Sequence, residues 1–189
     1  MSFKPITNNL FTFSEVKKQT DEIINNTSGC KKLGEFTLSS GGNSDKYYDL
    51  YTLNQKKLET LSKLFWRNFG NFGNQYLLVP TMIGGFQFAY ELSRKNPNSE
   101  LLITRLNRKK YGTKNIIEGD IDAKNKKALI VEDVMSTGNS SLKYIKILEK
   151  LGIKVEGILT IVFIFKFHLT FEILKNYKIY AMTVDSNSD

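Results

Sequence analysis

Apolar residues recur along this chain with two periods, and the switches between them mark out its elements. Val16, Ile23 and Ile24 behind Ser14 predict a capped helix over residues 14–26. Within 32–51 the runs FTL and YYDLY flank SSGGNSD, which predicts two strands joined by a polar turn. The helical period returns over 55–69, carried by Leu58, Leu61, Leu64 and Phe65. Short apolar strands are then expected at 76–79, 101–105, 127–131, 158–165 and 179–184. Helices are expected between them at 86–95, 140–151 and 171–177, with Gly152 as a helix stop. Strands alternating with helices predict an α/β protein with a mostly parallel sheet flanked by helices. Ligands of such sheets bind beyond the carboxyl ends of the strands, which directs attention to the loops after Val79, Arg105, Val131 and Phe165.

Composition narrows the class. At 189 residues and 41% hydrophobic content, the chain fits one packed domain. Its single cysteine, Cys30, excludes an internal disulfide framework and suits a reducing, cytoplasmic compartment. One Cys and one His, His168, are too few for a structural zinc site, and His168 is assigned no role. The N-terminal stretch has no long apolar run behind a basic start, so no secretory leader is expected. The apolar run 158–165 is far shorter than the roughly 20 residues of a membrane helix. A net charge of +8 fits a polyanionic partner, either nucleic acid or a phosphorylated metabolite. Five of the eleven residues from Thr104 to Lys114 are basic, and with Gly112 they read as a cationic loop.

The segment ALIVEDVMSTGNSS, residues 128–141, carries the most specific chemistry. A buried strand runs into Glu132 and Asp133, then into a turn of small hydroxyl residues, then into a helix. Backbone N–H groups at a helix N-terminus converge on one point, and the helix dipole favours an anion there. Ser136, Thr137, Ser140 and Ser141 can add hydroxyl donors, while Gly138 permits close approach. Carboxylates beside such a cradle make sense if they face sugar hydroxyls rather than the phosphate. The bland alternative is an ordinary capped turn. A Walker-type loop needs GKS or GKT, and no lysine lies in the segment.

VEDVMSTGNSS resembles the phosphoribosyl-pyrophosphate signature of type I phosphoribosyltransferases. EFTLSSGGNSDKYYDL resembles the N-terminal hairpin of the orotate branch, RLNRKKYGTKNIIEGDI its catalytic loop, and VPTMIGG its pyrophosphate-contacting loop. The resemblance implies the type I fold, with a helix and hairpin hood over about 1–55 and an α/β core over 56–189. It also implies transfer of 5-phosphoribose from phosphoribosyl pyrophosphate to a nucleobase, with orotate expected, as in pyrimidine nucleotide synthesis. Glu132 and Asp133 would then hold the ribose hydroxyls. Val134, Met135, Ser136, Thr137, Gly138, Asn139 and Ser140 would form the substrate-binding turn around the 5-phosphate. Arg105 and Tyr111 would serve the closing loop, and Lys109 would take the place of the family's catalytic lysine. Magnesium would ride on the substrate, with Asp133 the one candidate for direct contact. A homodimer sharing loop 105–119 between subunits is implied.

Four departures qualify the expectation of orotate. Leu106 and Ile83 stand where basic residues are usual, and Ser39 where many relatives have lysine. Phe163 and Ile164 replace an Asp-Arg pair whose arginine grips the orotate carboxylate, and Lys166 lacks arginine's planar fork. Two alternatives therefore stay open: a phosphoribosyltransferase for another base, and a non-catalytic sensor of phosphoribosyl pyrophosphate, for which nucleic acid is a candidate partner but not the favoured one. Tyr47 and Tyr48 read as packing residues, and Asp49 as a turn or ribose-edge residue.

Overall fold

The computed structural model describes residues 9–37, 43–69, 75–106, 116–118, 126–165 and 171–186. Its centre is a six-stranded sheet built from β1 (Leu10–Phe11), β4 (Tyr76–Pro80), β5 (Ser99–Leu101), β8 (Lys127–Met135), β9 (Val155–Phe165) and β10 (Lys178–Ser186). The spatial order is β1-β10-β9-β8-β4-β5, and every neighbouring pair is parallel. A bulged antiparallel hairpin, β2 (Lys31–Thr37) with β3 (Asn43–Tyr48), stands apart from this sheet. β6 (Ile103–Thr104) and β7 (Ile117–Glu118) form a second small antiparallel pair.

Both faces of the sheet are covered, as parallel strands require. Alternating side chains divide the core into two. Leu78, Leu129, Val131, Leu159 and Met182 pack under Val16, Leu61, Phe65 and Phe88. These come from α1 (Ser14–Asn25), α2 (Gln55–Phe69) and α3 (Phe86–Lys95). On the other face Leu77, Val79, Ile130, Ile158 and Ala181 meet Tyr144, Ile145, Leu148 and Ile173. These belong to α4 (Asn139–Lys150) and α5 (Phe171–Asn176). The helix predicted over 55–69 starts where Asn54 caps it, its Oδ1 accepting the Lys57 N–H at 3.1 Å.

Three sequence expectations are corrected. The strand expected at 101–105 is two short pieces: β5 stays in the sheet, whereas β6 turns away to pair with β7, and Arg105 N–H donates to the Ile116 carbonyl at 2.7 Å. The second hairpin strand ends at Tyr48, and Leu50–Thr52 form a 3-10 turn rather than continuing it. Most consequentially, β8 does not stop at Val131. It runs on to Met135, because Glu132 pairs with Thr160 and Val134 with Val162 on β9.

Strand order locates the ligand crevice. From β4 the chain moves outward to β5, then returns on the other side of β4 to form β8 and proceeds to β9 and β10. The order reverses between β4 and β8, and α3 and α4 leave on opposite faces. The gap beyond the carboxyl ends of these two strands is thus the topological switch point.

Candidate active site

Two turns border that gap. The first, 81–85, follows β4 and is pinned to β8: Thr81 N–H donates to the Val131 carbonyl at 2.9 Å. Gly85 lies so close that an added Cβ would sit 1.9 Å from the Val131 oxygen, and one at Gly84 would meet Asp133 Oδ1 at 2.4 Å. Only glycines let this turn lie flat against β8. The Met82–Ile83 peptide within it is cis.

The second turn follows β8. Gly138 adopts a left-handed conformation, φ 74°, and as the residue before α4 offers no side chain of its own to cap the helix. A Cβ there would also strike Ile173 Cδ1 at 2.4 Å. Thr137 Oγ1 accepts the Asn139 N–H at 3.3 Å, while Ser136 and Thr137 are half-buried and Asn139 and Ser140 exposed. The helix N-terminus therefore opens toward the crevice with small polar side chains around it, an arrangement suited to an anion.

The two carboxylates are separated by the strand that carries them. Because β8 continues through both, successive side chains point to opposite faces. Glu132 points to the α4 side and is 5% exposed; Ser141 Oγ donates to its Oε1 at 2.5 Å. Burial raises the Glu132 carboxyl to about 7, against the lowering effect of the Ser141 hydrogen bond, and neighbouring Asp133 adds to the rise. Asp133 is half-buried beside Gly84, with Oδ1 accepting the Val134 N–H at 2.8 Å. Its carboxyl is also raised, mainly by burial, with a smaller contribution from Asp49. Ser141, grouped with the donors of the turn on sequence grounds, bonds Glu132 instead.

Residues 48–188 match the phosphoribosyl transferase domain. The chain belongs to the phosphoribosyltransferase family. Among relatives of this phosphoribosyltransferase, the orotate phosphoribosyltransferase of Pyrococcus horikoshii is 37% identical over 150 residues, covering 77% of this chain and 80% of that one. That of Methanococcus maripaludis is 34% identical over 136 residues, covering 70% and 72%. The crystal structure of orotate phosphoribosyltransferase from Aeropyrum pernix superposes with a TM-score of 0.68 at 22% identity, covering 89% of this chain and 93% of that one. Adenine phosphoribosyltransferase from Leishmania donovani gives 0.69 at 13% identity, covering 99% and 92%. The structural likeness is one of fold.

In this phosphoribosyltransferase, Met135 is fully buried, Val134 is half-buried, and Arg105 is exposed at the end of β6. Lys109 and Tyr111 lie outside the described residues, as do Ser39, Lys166 and His168. Met82, Ile83 and Leu106 are exposed, Ile83 at 70%. Phe163 and Ile164 are buried within β9, Phe163 opposite Met135 and Val184, Ile164 beside Asp185. Asp185 accepts bonds from the Tyr48 hydroxyl at 2.5 Å and Lys46 Nζ at 3.0 Å, tying the hairpin to the end of β10. Tyr48 is thus a buried anchor, whereas Tyr47 and Tyr51 are exposed. Asp49 takes an ion pair from Lys32 at 3.2 Å. Sequence reasoning missed Thr160, whose buried hydroxyl donates to the Val162 carbonyl at 2.9 Å and lies 3.2 Å from the Asp133 carbonyl. A lone hydroxyl in an otherwise apolar strand was the available signal.

Among the described residues no helix is long and apolar enough to cross a membrane. No group of three or more metal-ligating side chains occurs among them either.

Proposed function

We propose that this chain is an orotate phosphoribosyltransferase, forming orotidine 5'-monophosphate and pyrophosphate from orotate and phosphoribosyl pyrophosphate. The observation that carries the choice of substrate is the 37% identity to an orotate phosphoribosyltransferase, over 77% of this chain and 80% of that one. The two turns and Asp133 supply a site of the right chemistry.

The start of α4, with Ser136, Thr137, Gly138, Asn139 and Ser140, receives the 5-phosphate. Asp133 faces the ribose hydroxyls and places negative charge near a ring that becomes cationic as the C1–O bond to pyrophosphate breaks. A charge fixed in advance where the transition state develops its opposite is the strongest device available here. Glu132 is buried and takes Ser141 on Oε1, so it holds β8 to α4 as well as standing beside the ribose site. Turn 81–85 and Arg105 receive the leaving pyrophosphate, with Lys109 and Tyr111 closing over it.

A half-buried Asp133 carboxylate, its Oδ1 held by the Val134 N–H, fits a magnesium ion that keeps most of its waters and is carried by substrate oxygens. When bound, magnesium would neutralise charge on the pyrophosphate. Exposed Met82, Ile83 and Leu106 provide an apolar rim suited to a homodimer contact that brings loop 105–119 to the neighbouring site. One domain over 1–189, working in the cytoplasm where a buried, free Cys30 stays reduced, completes the proposal.

A second reading keeps the reaction and changes the base. It rests on Phe163 and Ile164, which put buried apolar side chains where an arginine would meet a carboxylate. Pyrophosphate release from phosphoribosyl pyrophosphate and magnesium, with orotate or with each other nucleobase, separates the two. Orotate-dependent release that collapses in Lys109→Ala is expected. Release with a different base alone moves the assignment to that base, and no release with any base refutes both.

A further inference from the structure

Tyr144 lies on the buried face of α4, 2% exposed, among the side chains of the second core cluster. A tyrosine there has an ordinary explanation in packing. Its hydroxyl departs from that explanation, because it accepts the backbone N–H of Met82 at 2.9 Å. Met82 belongs to the turn after β4, and its side chain is 49% exposed. A rigid ring rising from the phosphate helix therefore ends on the neighbouring turn.

The other ties of that turn sit at its ends: beside the main-chain bonds, the Thr81 hydroxyl also donates to the Val131 carbonyl at 3.4 Å. Thr81 N–H reaches the Val131 carbonyl at 2.9 Å, and Gly85 N–H reaches the Thr81 carbonyl at 3.0 Å. These fix the two ends. The Met82 peptide between them is held by Tyr144. Tyr144 also lines a cleft of about 350 Å³ with Met82, Ile103, Thr104, Arg105 and Leu106. The cleft joins the turn to the start of the cationic loop, and Tyr144 is part of its lining.

We propose that Tyr144 is a positioning residue for the pyrophosphate half of the site: its hydroxyl orients the 81–85 turn from the same helix whose N-terminus receives the 5-phosphate. This rests on the reading of the two turns given above. It makes α4 a common brace for both anion sites. Loss of the hydroxyl then loosens one site and leaves the other intact.

Tyr144→Phe keeps the ring and removes the acceptor. Calorimetric binding of magnesium pyrophosphate and of ribose 5-phosphate is compared in the native and variant proteins. Pyrophosphate affinity is expected to fall about fivefold, the worth of one ordinary hydrogen bond, with ribose 5-phosphate affinity unchanged. Parallel weakening of both, or no change in either, overturns the proposal. Amide exchange at Met82 gives a readout independent of ligands: protected in the native protein, it should speed up in the variant. Rapid exchange already in the native protein also overturns the proposal. Failure of the native protein to bind either phosphate, with Met82 protected, refutes the assignment of the turns and leaves the Tyr144 brace standing.

Discussion

Replacing Glu132 by glutamine removes a titratable proton from the buried end of β8 while keeping the side chain's shape and its ability to bond Ser141. Glu132 ionises near pH 4.5 when unfolded and near 7 in the folded chain, where burial opposes its charge. Between those values the folded protein holds a proton that the unfolded chain has released. Stability from this group is therefore complete below about pH 4.5 and is lost as pH rises through 7. At about 1.4 kcal/mol per pH unit, the loss amounts to roughly 3 kcal/mol at most. Glutamine mimics the protonated acid at every pH. Urea denaturation of ligand-free protein should find Glu132→Gln within about 1 kcal/mol of the native chain at pH 5 and about 3 kcal/mol more stable at pH 8. Asp185 and Glu156 also titrate with shifted values, and they cancel when the two curves are subtracted, whereas Asp133, which contributes to the Glu132 shift, cancels only in part. Parallel curves from pH 5 to 8 would refute the reasoning, because they would mean that Glu132 is ionised and comfortable where it lies.

Gly85→Ala drives a methyl group into the Val131 carbonyl, 1.9 Å away, so the backbone of the turn must move. Melting should reveal a loss of about 1–3 kcal/mol or more. Gly84→Ala meets a movable carboxylate, that of Asp133, at 2.4 Å and should depress turnover more than melting temperature. Gly138→Ala combines a left-handed backbone, φ 74°, with a clash against Ile173; thermal melts should register at least about 1–2 kcal/mol, and phosphate affinity should fall with it. Tyr48→Phe deletes a donor to the Asp185 carboxylate and should cost about 1.5–3 kcal/mol in urea, with little change at a pH low enough to protonate Asp185.

Much of the architecture was legible because core burial imposes clear periods. The helices at 55–69 and 86–95 coincide with α2 and α3, whose buried faces are mostly apolar, with Ser62 and Glu91 the polar members. The strand expected at 127–131 was cut short for a physical reason. Hydropathy ends at Val131, but strand pairing is made by the backbone, and β9 continues to pair with Glu132 and Val134. That extension decides which way each carboxylate faces, so the site's composition could be read from the motif and its orientation could not. The link between Tyr144 and Met82 joins residues 62 positions apart and leaves no local trace in the sequence. Phe163 and Ile164 were legible as departures, yet only the sheet shows that they fill core positions rather than leave a gap.

The crevice between β4 and β8 also bears on how the molecule comes to fold. Tyr76 lies opposite Lys127 and Pro80 opposite Val131, so the two walls of the crevice are contributed by segments about 50 residues apart. Closing a loop of that length costs entropy before the pairing repays it, which makes such contacts slow to form. A collapsed chain with its helices in place but this pairing unmade has no crevice, and it cannot bind what the native protein binds. Ligand added during refolding should then leave the folding rate nearly unchanged and slow unfolding in proportion to its affinity. The protein's capacity to bind is thereby a late product of its folding, acquired together with the central sheet.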